Sequence, residues 1–336
     1  MMKLRGISFT LSAAAATVAL TIVASAQQPI RSPKQVPFPQ KPDWTKLAID
    51  VVPVQGQITL LAGAGGNIAV QTGDEGVLLV DTGYEQMSAK VLAEVRKLSK
   101  KSINRIVNTT LMDAHTGGNA VIAKEGRVNQ GGPGLGGRPN EAQVTGHATL
   151  TLLMTEVGRD KIAPERWPVY TYDGKSKDFY SNDEPVVLIH VPNGVTDGDS
   201  MVWFRKSDVV VTGEIFNEAS FPFIDLAHGG SINGILGGLN QLLEITVPKF
   251  NQEGGTMVVP GYGRIGDEHD VLEYRDMLTI IRDRVQADIK KGMTLQQIKA
   301  LKPSPTYEYE LRYNRDPAWT AEMFVEAVYK SLGGKR

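Results

Sequence analysis

Chemistry on this chain concentrates in the stretch 106–119, Ile-Val-Asn-Thr-Thr-Leu-Met-Asp-Ala-His-Thr-Gly-Gly-Asn. It sets a carboxylate and an imidazole, Asp113 and His115, two residues apart, with the Thr110 hydroxyl shortly before them. Histidine changes charge nearest neutral pH, and a carboxylate beside it in a semi-apolar cleft can exchange protons there. The same two side chains are ordinary zinc ligands, but a zinc site needs three or four donors at about 2.0–2.3 Å. With no cysteine in the chain, thiolate nucleophiles, thiolate ligands and disulfides are all excluded.

The elements around the stretch explain why chemistry belongs there. Ile103, Ile106 and Val107 finish a buried strand, and Thr116-Gly117-Gly118-Asn119 is expected to open a helix with a hydroxyl at its cap. A loop between strand end and helix start sits on a rigid scaffold with backbone N–H groups pointing outward. Upstream, 57–62, 67–71 and 76–80 read as short strands separated by Gly-containing turns. Residues 88–100 follow with apolar positions on one helical face. Downstream, 145–157 reads as helix, and strands are expected at 169–172, 179–180, 186–191, 201–204 and 209–212. Helices follow at 231–243, 267–291, 293–301 and 318–332. Two β-rich halves, each followed by helices, imply two sheets face to face with helices outside. The glycine run Gly131-Gly132-Pro133-Gly134-Leu135-Gly136-Gly137 lacks a strand before it and reads as a surface loop rather than a dinucleotide cradle.

The loop phrase resembles the signature of the metallo-β-lactamase-like hydrolases, Asn-Thr-His-x-His-x-Asp-His-Thr-Gly-Gly-Asn, whose three His and one Asp hold zinc. Thr110 and Met112 stand at the first two His positions, Ala114 at the Asp, and His115 remains. Leu79-Val80-Asp81-Thr82-Gly83 resembles a second landmark of that family, where the Asp supports the metal loop; a plain turn cap accounts for Asp81 equally. Pro192-Asn193-Gly194-Val195-Thr196-Asp197-Gly198-Asp199-Ser200 resembles Pro-Gly-x-His-Thr-x-Gly-Asp-Ser, with Val195 at the His. Thr212-Gly213-Glu214-Ile215-Phe216 resembles Thr-Gly-Asp-x-Phe, and Pro260-Gly261-Tyr262-Gly263 resembles Pro-Gly-His-Gly. The resemblance implies an α/β, four-layer αββα sandwich of the metallo-β-lactamase type.

It also implies a degenerate cleft at Thr110, Met112, Asp113, Ala114, His115, Val195, Glu214 and Tyr262. Of the seven matched ligand positions only His115 and Glu214 carry ordinary zinc ligands, and Glu214 is one methylene longer than the bridging Asp. Two readings stay open. The first is a metal-free, non-catalytic relative that binds a small molecule or protein partner, with no cofactor. The second is a hydrolase of esters, amides, thioesters or phosphodiesters, acting through at most one metal, zinc, on His115, Glu214 and Asp113, or through acid–base groups without metal. A Ser200–His190–Asp199 triad lacks a nucleophile elbow. The remaining histidines, 147, 228 and 269, read as solvated or hydrogen-bonded.

The 336 residues, 41% apolar, suffice for a full core. A formal charge of −1 leaves no electrostatic footprint for nucleic acid or an anionic membrane. Lys3 and Arg5, an apolar run from Ile7 to Val23, and Ala24-Ser25-Ala26 make residues 1–26 a secretory signal peptide. Export to the periplasm or medium, with cleavage near Ala26, is therefore expected. Residues 27–50 form a Pro-rich lead-in whose end docks on the domain edge, and 51–336 form a single domain.

Overall fold

Alternation at a period of two decides how the strands are used. In the pair Leu60-Leu61 the first side chain points to one core and the second to another, and Leu78-Leu79 repeats the split. Strands apolar on both faces must be covered on both faces, and that dictates layers. The computed structural model describes residues 43–127, 140–246, 255–304, 313 and 318–334. The segment 1–26 expected to be a signal peptide, most of the lead-in and the glycine run 131–137 lie outside the described residues.

The first sheet has seven strands in the order β1 to β7: Asp50–Gln55, Ile58–Ala62, Ile68–Thr72, Val77–Val80, Ile103–Val107, Gln143–His147 and Tyr170–Tyr172. Its first four strands form an antiparallel meander, and β4 to β7 run parallel. The parallel strands are joined by helical crossovers: α1 (Ser88–Leu98), then α2 (Asp113–Thr116) with α3 (Asn119–Ile122), then α4 (Ala148–Val157). The second sheet has five strands in the order β12-β11-β10-β9-β8, namely Met257–Val259, Val209–Val211, Asp199–Phe204, Glu184–Val191 and Ser176–Ser181. Only β12 is parallel to its neighbour.

Between the sheets lies a shared core, where Leu60, Leu78, Val80 and Val107 meet Leu188, Val202, Phe204 and Val211. The outer face of the first sheet packs Leu79, Ile103 and Ile106 against Val91 and Val95 of α1 and Ile122 of α3. The outer face of the second sheet is covered by α5 (Ile232–Thr246), α6 (Glu268–Lys290) and α8 (Ala321–Ser331), through Leu239, Tyr274, Leu278, Phe324 and Val328. A shorter helix, α7 (Leu295–Leu301), adds Ile298 to the same core. These are the four layers of an αββα sandwich, as expected.

Two local expectations are corrected. Residues 145–147 belong to strand β6, and the helix begins at Ala148, where His147 Nδ1 accepts the Thr149 N–H at 3.3 Å. A helical turn already forms at 113–116 before α3 opens at Asn119, and the Thr116 hydroxyl caps neither, donating instead back to the Leu111 and Met112 carbonyls. The end of the lead-in lies against the first sheet. Trp44, Leu47 and Ile49 pack on the outer core of the first sheet, and the Lys90 ammonium donates to the Trp44, Thr45 and Leu47 carbonyls. Among the described residues no helix is long and apolar enough to cross a membrane.

Candidate functional site

Asp81 follows β4 directly, and its backbone stands in the left-handed region at φ +65°, which aspartate tolerates better than most residues. Its N–H donates to the Val107 carbonyl at 2.8 Å, which joins the ends of β4 and β5. The carboxylate then holds the loop after β5. Oδ1 accepts the Thr109 N–H at 2.9 Å, and Oδ2 accepts the Thr109 hydroxyl at 2.6 Å. Oδ2 also meets His115 Nδ1 at 2.7 Å. Both roles foreseen for Asp81 are thus one role, since the turn it fixes is the loop it supports.

His115 is completely buried. Its Nε2 lies 3.0 Å from Glu214 Oε1, and the Tyr262 ring stands edge-on at 5.8 Å. The Tyr262 hydroxyl is hydrogen-bonded to Glu214. The chain Thr109–Asp81–His115–Glu214–Tyr262 therefore runs from the loops of the first sheet to those of the second. Carboxylates only accept hydrogen bonds, so two carboxylates on two ring nitrogens demand an imidazolium. Burial opposes that charge, but Asp81 and Glu214 outweigh it, and the His115 pKa is pushed up to about 10. Burial and the Glu214 charge drive the Tyr262 phenol well above its ordinary range.

The surrounding backbone is fitted closely to this chain. A Cβ at Gly66 would come within 2.4–2.5 Å of the His115 ring, so only glycine lets that strand end approach. Asn108 and Asn119 exchange amide hydrogen bonds at 2.7 and 3.1 Å, and the Thr82 hydroxyl donates to Asn119 at 2.9 Å.

The sequence profile of the metallo-beta-lactamase superfamily matches residues 62–282, the span that carries all of these groups. The chain belongs to that superfamily. Among solved structures it is similar to the stereoselective inverting sec-alkylsulfatase Pisa1 from Pseudomonas sp., with 13% identity and a TM-score of 0.63 over 86% of this chain and 51% of that one. It is also similar to DIM-1 metallo-beta-lactamase, with 15% identity and a TM-score of 0.53 over 69% and 97%. A metallo-beta-lactamase from Pontibacter korlensis gives 14% and 0.53 over 69% and 99%. The chain spans about half the length of the alkylsulfatase it matches. No curated protein matches it. At these identities the likeness is one of fold.

In this superfamily member the other matched positions are brought to the same end of the sandwich, in unequal ways. Thr110 is buried and its hydroxyl has no hydrogen-bond partner among the described residues, while the Asp199 carboxyl is raised to about 7 by burial, against the hydrogen bonds from the Thr196 N–H and hydroxyl. Ala114 is buried, and its carbonyl accepts the Gly66 N–H at 2.9 Å. Met112 is half-buried against the outer core of the second sheet. Val195 is fully buried within that core. Asp113 is the exception. Its carboxylate is 68% exposed and paired with Arg166 at 2.5 Å, turned away from the buried chain. The Ser200–His190–Asp199 triad is not assembled: Ser200 Oγ bonds Tyr172, His190 Nε2 donates to the Asp197 carbonyl, and Asp199 holds Thr196.

The fold family implies zinc, so the fit of the donors matters. Zinc takes lone-pair donors at about 2.0–2.2 Å. Both His115 nitrogens already meet carboxylates, and Met112, Ala114 and Val195 offer no oxygen or nitrogen in their side chains. Among the described residues no group of three or more His, Cys, Asp and Glu has a metal-holding arrangement. The residues present here do not fit zinc.

Two contributors escaped the sequence reading. Tyr84 stands half-buried near Glu214 and Tyr262, its phenol raised by burial first and by Asp113 and Glu214 next. Arg166 steers Asp113 outward and also donates to the Thr116 hydroxyl at 3.0 Å. Tyr84 follows Asp81-Thr82-Gly83 in sequence and could have been flagged from that position. Nothing near Arg166 in the sequence marks it.

Proposed function

We propose that this chain is a metal-free, non-catalytic member of the superfamily that holds a small molecule or a protein partner in its altered cleft. One observation carries the reading: the sole histidine of the loop is buried and gives both ring nitrogens to carboxylates. An imidazolium between Asp81 and Glu214 takes the place that a cation would otherwise fill. A side chain with no exposed atom and no free lone pair neither binds metal nor takes a proton from substrate without opening the loops. The ligand is partly apolar, contacting the half-buried Met112, Tyr84 and Tyr262 at the mouth. Export after cleavage near Ala26 places this binding outside the cytoplasm.

The competing reading is a hydrolase with one metal on His115, Glu214 and Asp113. Family membership favours it. The orientation of Asp113 toward Arg166 speaks against it.

The deciding experiment is elemental analysis after dialysis in trace zinc, run beside a hydrolysis panel of β-lactam, thioester, phosphodiester and sulfate ester. Zinc far below one per chain and no turnover are expected. Near one zinc per chain, with turnover abolished by His115→Ala, would overturn the proposal. Restoring His at 110, 112, 195 and 262 with Asp at 114 and 214 is expected to raise zinc affinity.

A further inference from the structure

At the end of the sandwich where β4 and β5 begin, a groove of about 570 Å³ opens to solvent. Its walls include Glu75, Asn104, Arg105, Gln143, Phe179 and Tyr180. Strand β4 starts in this groove at Val77 and reaches Asp81 only past its other end. Groove and candidate site therefore sit at opposite poles of the strands.

Arg105 lies in β5, paired with Leu78 of β4 and Gln143 of β6. Its guanidinium stands 4.0 Å over the Phe179 ring and gives one hydrogen bond, to Gln143 Oε1 at 2.8 Å. Guanidinium has five N–H donors in a fixed fork. Among the described residues no carboxylate pairs with it. Glu75, on the same wall, turns its Oε2 to the Asn182 N–H at 2.9 Å. Burial pulls the Arg105 pKa down, against which the nearby Tyr170 acts.

A bland reading makes Arg105 a cap over the inter-sheet core, stacked on Phe179. That reading accounts for the ring and one hydrogen bond. It leaves a half-buried cation with no counter-ion among the described residues, on the wall of a cavity in the size range of small-molecule sites. Beside it Tyr180 holds a large aromatic surface 73% exposed.

We propose that this groove is a second binding site, for a small anion carrying a flat apolar group: an aromatic carboxylate or phosphate monoester. Arg105 takes the anion with two N–H groups, Phe179 and Gln143 keep the fork aimed, and Tyr180 lies against the ligand's ring. The site is independent of the cleft at the other pole and stands whether or not that cleft binds metal.

The test is NMR titration of the full chain at physiological ionic strength with benzoate, phenyl phosphate and inorganic phosphate. Saturable shifts centred on the Arg105 side chain and β8 are expected for benzoate, phenyl phosphate or both, and the pattern tells carboxylate from phosphate recognition. Arg105→Gln is expected to weaken binding about tenfold or more, and Arg105→Lys to restore little of it because the fork is lost. Tyr180→Ala, at an exposed position, is expected to remove the preference of phenyl phosphate over inorganic phosphate, and it carries the test if Arg105→Gln fails to fold. Absence of saturable shifts for both aromatic probes overturns the proposal. So do shifts centred on loop 108–119, affinity unchanged in Arg105→Gln, or an aromatic preference unchanged in Tyr180→Ala.

Discussion

His115 keeps two protons because each ring nitrogen faces a carboxylate, and that fixes the sign of its contribution to stability. Its pKa rises on folding, from about 6.5 to about 10. The stabilisation is therefore fully present below about pH 6.5 and disappears as pH rises through about 10. Urea unfolding at intervals between pH 6 and 10 is expected to show wild-type stability falling by up to about 1.4 kcal/mol per pH unit more than that of His115→Gln. Parallel curves for the two proteins would show that the buried ion pairs do not form. At this scale the sequence was half legible. Three separate phrases marked His115, Glu214 and Tyr262, since glycines and hydroxyl residues around them keep a recognisable frame. They could not mark the ion pairs, because Glu214 lies 99 residues from His115 and ring orientation has no sequence signal. Nor could they mark the partner of Asp113, since Arg166 lies 53 residues away.

Elements were legible where their periods were clean. Strands β2 to β4 and helix α1 fall within a residue or two of the positions read from alternation and helical spacing. Strand β6, Gln-Val-Thr-Gly-His, was hidden because its middle position in a parallel sheet allows polar residues that neighbours cover. Gly146 also fits there for a packing reason, since a Cβ would press on Pro168 and Leu150 at 2.9–3.0 Å. Helix α6 was the clearest of all, announced by Asp267 at its start. The Asp267 side chain accepts the Asp270 N–H at 3.1 Å, and Asp270 returns the bond at 3.2 Å. Asp267→Ala removes one half of that box and a negative charge from the helix start. A loss of about 1 kcal/mol is expected, read as a melting temperature lower by roughly 2–4 °C, with secondary-structure content unchanged. No change in melting would mean that Val271, Tyr274 and Leu278 alone hold the helix end.

Across the whole molecule, the chain from Thr109 to Tyr262 does more than shape a cleft, because its members come from loops of both sheets. Asp81 and Thr109 follow β4 and β5, while Glu214 and Tyr262 follow β11 and β12. Asn67 adds a second tie, with its N–H on the Gly261 carbonyl at 2.8 Å and its amide on the Pro260 and Gly263 carbonyls. Loops that end in open water usually exchange their amide hydrogens in minor, local openings. Here the Asn67 N–H itself bridges the halves, and Thr109, whose N–H is on Asp81, is tied across by its carbonyl, which accepts the Ser200 N–H at 2.8 Å, so these loop amides are expected to exchange as slowly as those of Leu79 and Val202 in the strands. Mass spectrometry of deuterium uptake would read this directly, and fast uptake at 108–110 beside protected strands would contradict it. The rim of this protein thus behaves as a clasp: its two halves open together or remain shut, and any visitor to the cleft must be received by a closed edge.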